Sequence, residues 1–413
     1  MKVIGVKDVE ENAGGELRVE VGDIVTPLAR DRARDLNVRF IAAPAGGNSP
    51  DYIGTPAAAF EDPAPNGRQP ANDPPAGALY RRGAPVVGAN QDPESVASGP
   101  HRGPGGRLTV VGAGHVGVTT AMRLAESDLF GEVVMIDTVE GLAEGLALDL
   151  THSSGLQGFG TALRGTSDPA EAAGADYVVV TAGRPRQPGM SRSDLIRVNA
   201  EIISAVSADI RRHSPDATVV VVTNPLDEMT ALAQRETGFG AERVLGMAGV
   251  LDAARFCALV ALATGKRAEE VSALALGSHG GEMVIPLSCA RVAGRPITSV
   301  LDAATLSSIT ERARNSGAEV VGLLKTGSAY YAPASSVARM IRAMVQGSDE
   351  VLGACVQADG TFGISGTYLG LPVRLGTGGV AEIVNLDLTV PELEELKVAA
   401  QRIEERFSEL AGA

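Results

Sequence analysis

Four short stretches hold side chains that could do chemistry. In ALGSHGGEM, His279 sits among glycines, and an imidazole in such a place can take and return a proton near neutral pH. In GVLDAARF, Asp252 and Arg255 stand three apart, so a helix would put them on one face. The acid could orient an imidazole, and the guanidinium could grip a carboxylate with two prongs. TAGRPRQPGMSRSDL carries Arg184, Arg186 and Arg192 among prolines and glycines, a basic loop in a chain of net charge −14. TVVGAGHVGVTTAMRLA sets Gly112, Gly114 and Gly117 in G-x-G-x-x-G spacing, which lets backbone N–H groups approach a phosphate. Each stretch also has a plainer reading: a turn histidine, a surface i,i+3 pair, a solvated Arg192–Asp194 pair, a glycine-rich turn. Asn224, before Pro225 in VVTNPLD, could simply start a turn.

The elements around these stretches favour the chemical readings. Apolar, Val-rich runs recur at RLTVVGAG, EVVMID, DYVVVTAG and ATVVVVTNP, separated by helix-length segments. Continuous apolar strands mean burial on both faces, hence a parallel sheet covered by helices. Gly112 directly follows the first run and Gly117 opens an Ala/Leu-rich helix, which is the context that makes a dinucleotide fingerprint specific. The next run ends in Asp137, 25 residues after Gly112. A carboxylate there accepts bonds from ribose hydroxyls and repels a 2′-phosphate, which favours NAD over NADP. His115, inside the glycine turn, is expected to point away from the phosphates. Farther on, helices are expected at LSSITERARNSGAEVVGLL, PASSVARMIRAMV and VPELEELKVAAQRIEERFSEL, with an antiparallel meander over GTFGISGTYLGLPVRLGTGGV. The fold class is therefore α/β: a Rossmann-type doubly wound parallel sheet over 107–249, then an α+β substrate domain over 250–413.

The N-terminal quarter differs. Residues 1–43 suggest a small module: a strand at ELRVEV, a helix at TPLARDRARDLN capped by Thr26 and Pro27 and left at Asn37, and a strand at VRFIAA. Residues 44–106 contain about half of the 23 prolines and little periodicity, the composition of a disordered linker. The acidic balance argues against a nucleic-acid binder. No run approaches the ~18 apolar residues of a membrane span, and no signal-peptide core is present, so the expected location is cytoplasmic. Cys257, Cys289 and Cys355 show neither zinc nor disulfide spacing and are expected to be small buried residues.

From about Arg107 to Phe407 the chain resembles the lactate/malate dehydrogenase family, in the segments GAGHVG, TAGRPRQPGMSRSDL, NPLD, LDAARF, GSHGGEM and LGTGGVAEIVNL, in family order. It is most similar to the malate dehydrogenases of lactate-dehydrogenase type. The resemblance implies that His279 is the acid/base and that Asp252 holds its tautomer. It makes Arg255 the grip on the C1 carboxylate and Arg192 the polariser of the reacting carbonyl. Asn224 would position the substrate oxygen, and Thr181, Gly183, Asn199 and Asn224 would join Gly112, Gly114, Gly117 and Asp137 in holding NAD. No metal is implied.

Arg186 decides the substrate. In the resemblance, lactate dehydrogenases carry an uncharged Gln at this place and malate dehydrogenases an Arg. A second guanidinium suits a C4 carboxylate, so malate and oxaloacetate are expected. The adjacent Gln187 would exchange roles with it if the loop shifted by one residue, and lactate or another 2-hydroxy acid is the alternative substrate. Arg184 reads as a solvent-facing loop cation. The family implies a homotetramer or a dimer. GDIVTPLARDRARDLNV resembles small modules on enzymes of bacterial microcompartments, which would make residues 1–43 a shell or assembly contact.

Overall fold

The Val-rich runs form strands whose every residue is buried where the sheet is central. Tyr177–Val180 (β4) and Thr218–Val221 (β5) have no exposed position. With Arg107–Val111 (β1), Glu132–Ile136 (β2), Ala162–Thr166 (β3) and Val244–Gly246 (β6) they pair in parallel. Their order is β3-β2-β1-β4-β5-β6, the doubly wound order, which reverses direction between β1 and β4. The computed structural model describes residues 3–4, 6–19, 24–25, 29, 32–33, 36–42, 105–185 and 192–411.

Helices His115–Glu126 (α1), Leu142–Gln157 (α2), Arg192–His213 (α3) and Leu226–Thr237 (α4) connect these strands. After β6 the chain enters Gly249–Thr264 (α5), then the short strands Leu276–Gly277 (β7) and Met283–Val284 (β8). Two long helices follow, Ala303–Leu324 (α6) and Tyr331–Gln346 (α7). An antiparallel meander forms from Leu352–Asp359 (β9), Ser365–Gly376 (β10) and Gly379–Ile383 (β11), its first strand lying before the stretch expected to hold it. Helix Val390–Ala411 (α8) follows. β9 pairs antiparallel with β6 through Gly246 and Cys355, so one sheet runs without interruption from the parallel half into the meander, β7 and β8.

Helix faces match their surroundings. Ala334, Val337, Ala338 and Ile341 of α7 fall at helical spacing and are buried where α7 meets α1. Leu396, Ala399, Ala400 and Ile403 do the same for α8 against β10. Asp302 caps α6 by accepting the Thr305 N–H at 2.8 Å. Among the described residues Gly105 already belongs to this body, its N–H donating to Leu129 O at 2.8 Å.

The chain separates into two compact units, Met1–Val86 and Val87–Ala413. In the first, Glu16–Val19 and Arg39–Ala42 are parallel strands, as are Val3–Ile4 and Ile24–Val25. Val9, Ala29, Ala33 and Val38 form its small core, backed by Leu17, Leu36 and Phe40. Ala29, Arg32 and Ala33 are helical and Asn37 is left-handed (φ 52°), consistent with a helix exit there. The Thr26 and Pro27 cap lies outside the described residues, as do residues 44–104 of the linker.

Candidate active site

The reversal point between β1 and β4 is where an open α/β sheet leaves a crevice for a ligand. A cavity of about 500 Å³ opens there, lined by the glycine turn after β1, the ends of β4 and β5, α5, His279 and the α6–α7 connection. The glycine turn is shaped by contact from behind. Gly112 has φ +99°, and a Cβ on Gly117 would lie 1.8 Å from Gly112 O, so neither place admits a side chain. Thr181 Oγ1 donates to Gly112 O at 2.9 Å and supports the turn from β4. A Cβ on Gly114 would meet nothing within 4 Å, so that position is open. Gly114 begins α1 with no side-chain cap and no acid in the first turn. A bare helix N-terminus beside an open glycine fits the pyrophosphate of a dinucleotide.

Asp137 lies at the end of β2, and its carboxylate accepts the Ala113 N–H at 2.8 Å and the Val139 N–H at 3.0 Å. It therefore braces the glycine turn, a task the motif did not suggest. Asn199 has a similar place. It is buried on α3, accepts the Arg184 N–H at 2.8 Å and donates to Arg184 O and Asn224 O at 3.2 and 2.6 Å. Its amide ties the loop after β4 to the loop after β5. Gly183 packs beside Thr223, and Asn224 lines the cavity. His115 lines the cavity too, with its ring stacked on Tyr330, centroids 5.0 Å apart.

The acid/base group is assembled from two distant segments. Asp252, 1% exposed, projects from the first turn of α5, and its Oδ2 meets His279 Nδ1 at 2.8 Å. That bond places the Nδ1 proton toward the carboxylate and leaves Nε2 for proton transfer. The Asp252 Oδ1 accepts from Arg255 Nη1 at 3.0 Å, so one carboxylate aligns both side chains. Arg255 lines the cavity and keeps the rest of its guanidinium fork there. Burial works against the charged form of His279, but the Asp252 carboxylate, through charge and hydrogen bond, outweighs it, and Asp227 adds to the effect. Arg255 pulls the other way, and the net shift is upward.

Sequence reasoning missed Asp227 although NPLD was in view. An acid in the first turn of a helix reads as a partner of the helix dipole. The structure instead buries it to 2% exposure, where Ser278 Oγ and the His279 N–H both donate to its Oδ2, at 2.8 and 3.1 Å. Burial first, then the neighbouring Glu228, pushes its carboxyl up to about 6. Arg186 and Gln187 lie outside the described residues; Arg192 starts α3 with its side chain outside them; Arg184 is exposed. The cysteines are free, and only Cys355 is fully buried; Cys257 and Cys289 are half-buried, contrary to expectation.

Known proteins give this arrangement a context. Residues 106–246 match the model of the lactate/malate dehydrogenase NAD binding domain, and residues 249–411 match the family's alpha/beta C-terminal domain. A malate dehydrogenase of Pelodictyon phaeoclathratiforme is 42% identical over 305 residues, 74% of this chain and 98% of that one. One from Nostoc punctiforme is 44% identical over 73% of this chain and 92% of its own length. The solved malate dehydrogenase from Salinibacter ruber superposes with a TM-score of 0.71 at 38% identity, covering 74% of this chain and 97% of that one. With both domain models matched in order around a histidine–aspartate pair and an open glycine turn, the chain belongs to the lactate/malate dehydrogenase family and carries its NAD-binding domain.

Proposed function

We propose that this chain catalyses the reversible oxidation of (S)-malate to oxaloacetate with NAD. The observation that carries the reading is the His279–Asp252–Arg255 cluster beside the glycine turn, in one cavity. NAD, when bound, supplies the acceptor for the hydride that leaves C2. His279 Nε2 takes the hydroxyl proton in oxidation and returns it in reduction. Asp252 keeps the ring in the productive tautomer and stabilises the imidazolium. Arg255 pairs with the C1 carboxylate and fixes the orientation of C2. Arg192 stabilises charge developing on the carbonyl oxygen, and Arg186 pairs with the C4 carboxylate.

The test of the substrate is NADH oxidation with oxaloacetate and with pyruvate. The native chain is expected to prefer oxaloacetate, and Arg186→Gln is expected to shift the kcat/KM ratio toward pyruvate by about 100-fold or more. Faster turnover of pyruvate by the native chain would remove the role given to Arg186.

The reading includes a homo-oligomer, a homotetramer rather than a dimer. Supporting it, α2 exposes Leu148 and Leu156, at 57% and 89%, as a surface suited to a second copy. Residues 1–43 act as a docking module for an assembly, a bacterial microcompartment shell by the likeness of GDIVTPLARDRARDLNV. A cytoplasmic location accompanies this reading; among the described residues no helix is long and apolar enough to cross a membrane.

A further inference from the structure

The loop that carries His279 has little stiffness of its own. Gly277 and Gly280 flank the histidine, both with positive φ (76° and 148°). Its position must be imposed from outside. Asp252 holds the ring, and a second set of groups holds the backbone. Asp227 Oδ2, from α4, accepts the His279 N–H and the Ser278 hydroxyl. Arg406, from α8, donates to Ser278 Oγ at 3.2 Å, to Glu282 at 3.4 Å and to Glu228 at 2.6 Å. One guanidinium thus grips both ends of the loop, Ser278 before His279 and Glu282 after it. Arg402, one turn earlier on α8, meets Glu282 at 3.3 Å.

A partly buried ion cluster is a costly way to attach a helix, because desolvating Glu228 and Arg406 offsets much of their attraction. The cluster makes sense by what it does to the loop. We propose that Arg406, Ser278 and Asp227 are positioning residues of the reaction, a chain of contacts by which the C-terminal helix sets the backbone of His279 from behind. The claim rests on His279 being the acid/base. The charged and titratable groups around the chain are Glu228 on α4, Asp252 and Arg255 on α5, Cys355 on β9, His279 and Glu282 on the loop, and Arg402 and Arg406 on α8.

The experiment uses the full chain and the variants Ser278→Ala, Arg406→Met, Arg406→Lys, Asp227→Asn and the Ser278→Ala/Arg406→Met double. Expected is a fall in kcat for oxaloacetate of ~10- to ~100-fold in Ser278→Ala and Arg406→Met. NADH affinity by fluorescence should be unchanged, Arg406→Lys should recover part of the loss, and the double should fall no further than the worse single. Asp227→Asn removes an anion near His279, so the alkaline limb of oxaloacetate reduction should move to lower pH. Histidine titration by NMR reads the same shift without substrate. It therefore judges the positioning role even if the chain turns over neither oxaloacetate nor pyruvate, an outcome that would reject the malate reading instead. Folded variants that keep kcat within about two-fold of native, with the His279 titration unmoved, would overturn the proposal.

Discussion

At the scale of residues, the site depends on one carboxylate serving an imidazole and a guanidinium. Asp252 faces His279 with one oxygen and Arg255 with the other, in a pocket that admits almost no water to the carboxylate. Asp252→Asn should keep the fold and lower kcat by on the order of 10²- to 10⁴-fold, because the amide cannot hold the same tautomer or stabilise the imidazolium. Steady-state kinetics beside a thermal melt separates this from unfolding. The pH dependence has a definite sign. Malate oxidation needs neutral His279 and oxaloacetate reduction needs the imidazolium. Since the folded protein raises the His279 pKa, the rise of oxidation and the fall of reduction should both lie above the pH at which a free histidine titrates. Rate profiles centred at or below that pH would contradict the Asp252 contact. These residues were legible in the sequence because motifs quoted in order restrict them tightly. Asp227 was not, because only burial separates a positioning acid from a helix-dipole acid.

At the scale of elements, the turn from β1 into α1 shows two kinds of glycine. Gly117 is barred from a side chain because its Cβ would run into the Gly112 carbonyl, whereas Gly114 faces open space. Gly117→Ala should therefore lower stability by about 2–3 kcal/mol or more, visible as a lower Tm. Gly114→Ala should leave Tm unchanged and weaken NADH binding, measured by fluorescence titration, because its methyl occupies the side open to the pyrophosphate. Unchanged NADH affinity in Gly114→Ala would mean that the open side is not the ligand side. The spacing of the glycines was readable from the chain. Their division of labour depends on what packs behind each, which spacing does not contain.

At the scale of the whole molecule, the continuous sheet makes the NAD-binding half and the meander half one body, joined by the Gly246–Cys355 pairing, by α7 on α1 and by α4 on β9 and β10. The first unit, Met1–Val86, has its own core. Deleting residues 1–104 should leave kcat/KM within about two-fold of native and remove any association that the module provides, read by sedimentation and by co-localisation. A large loss of turnover would tie the module to catalysis. Leu148→Lys with Leu156→Lys should shift sedimentation of the full chain toward a smaller species, since charge on a buried contact is costly. Unchanged sedimentation would remove the proposed role of α2 as a contact between copies.

Periodicity and motif order were enough to determine the α/β class and four of the parallel strands from Arg107 onward, and to single out His279, Asp252, Arg255 and the glycine turn as candidates. These are local or short-range signals: burial on both faces writes continuous Val runs, and tight turns demand glycine. Tertiary structure alone decided that Asp137 and Asn199 brace loops, that His115 stacks on Tyr330, and that Arg406 reaches Ser278 from 128 residues away. Such contacts join polar groups across sequence distances at which no spacing rule operates. They are set when packed elements bring buried donors and acceptors together and each must find a partner.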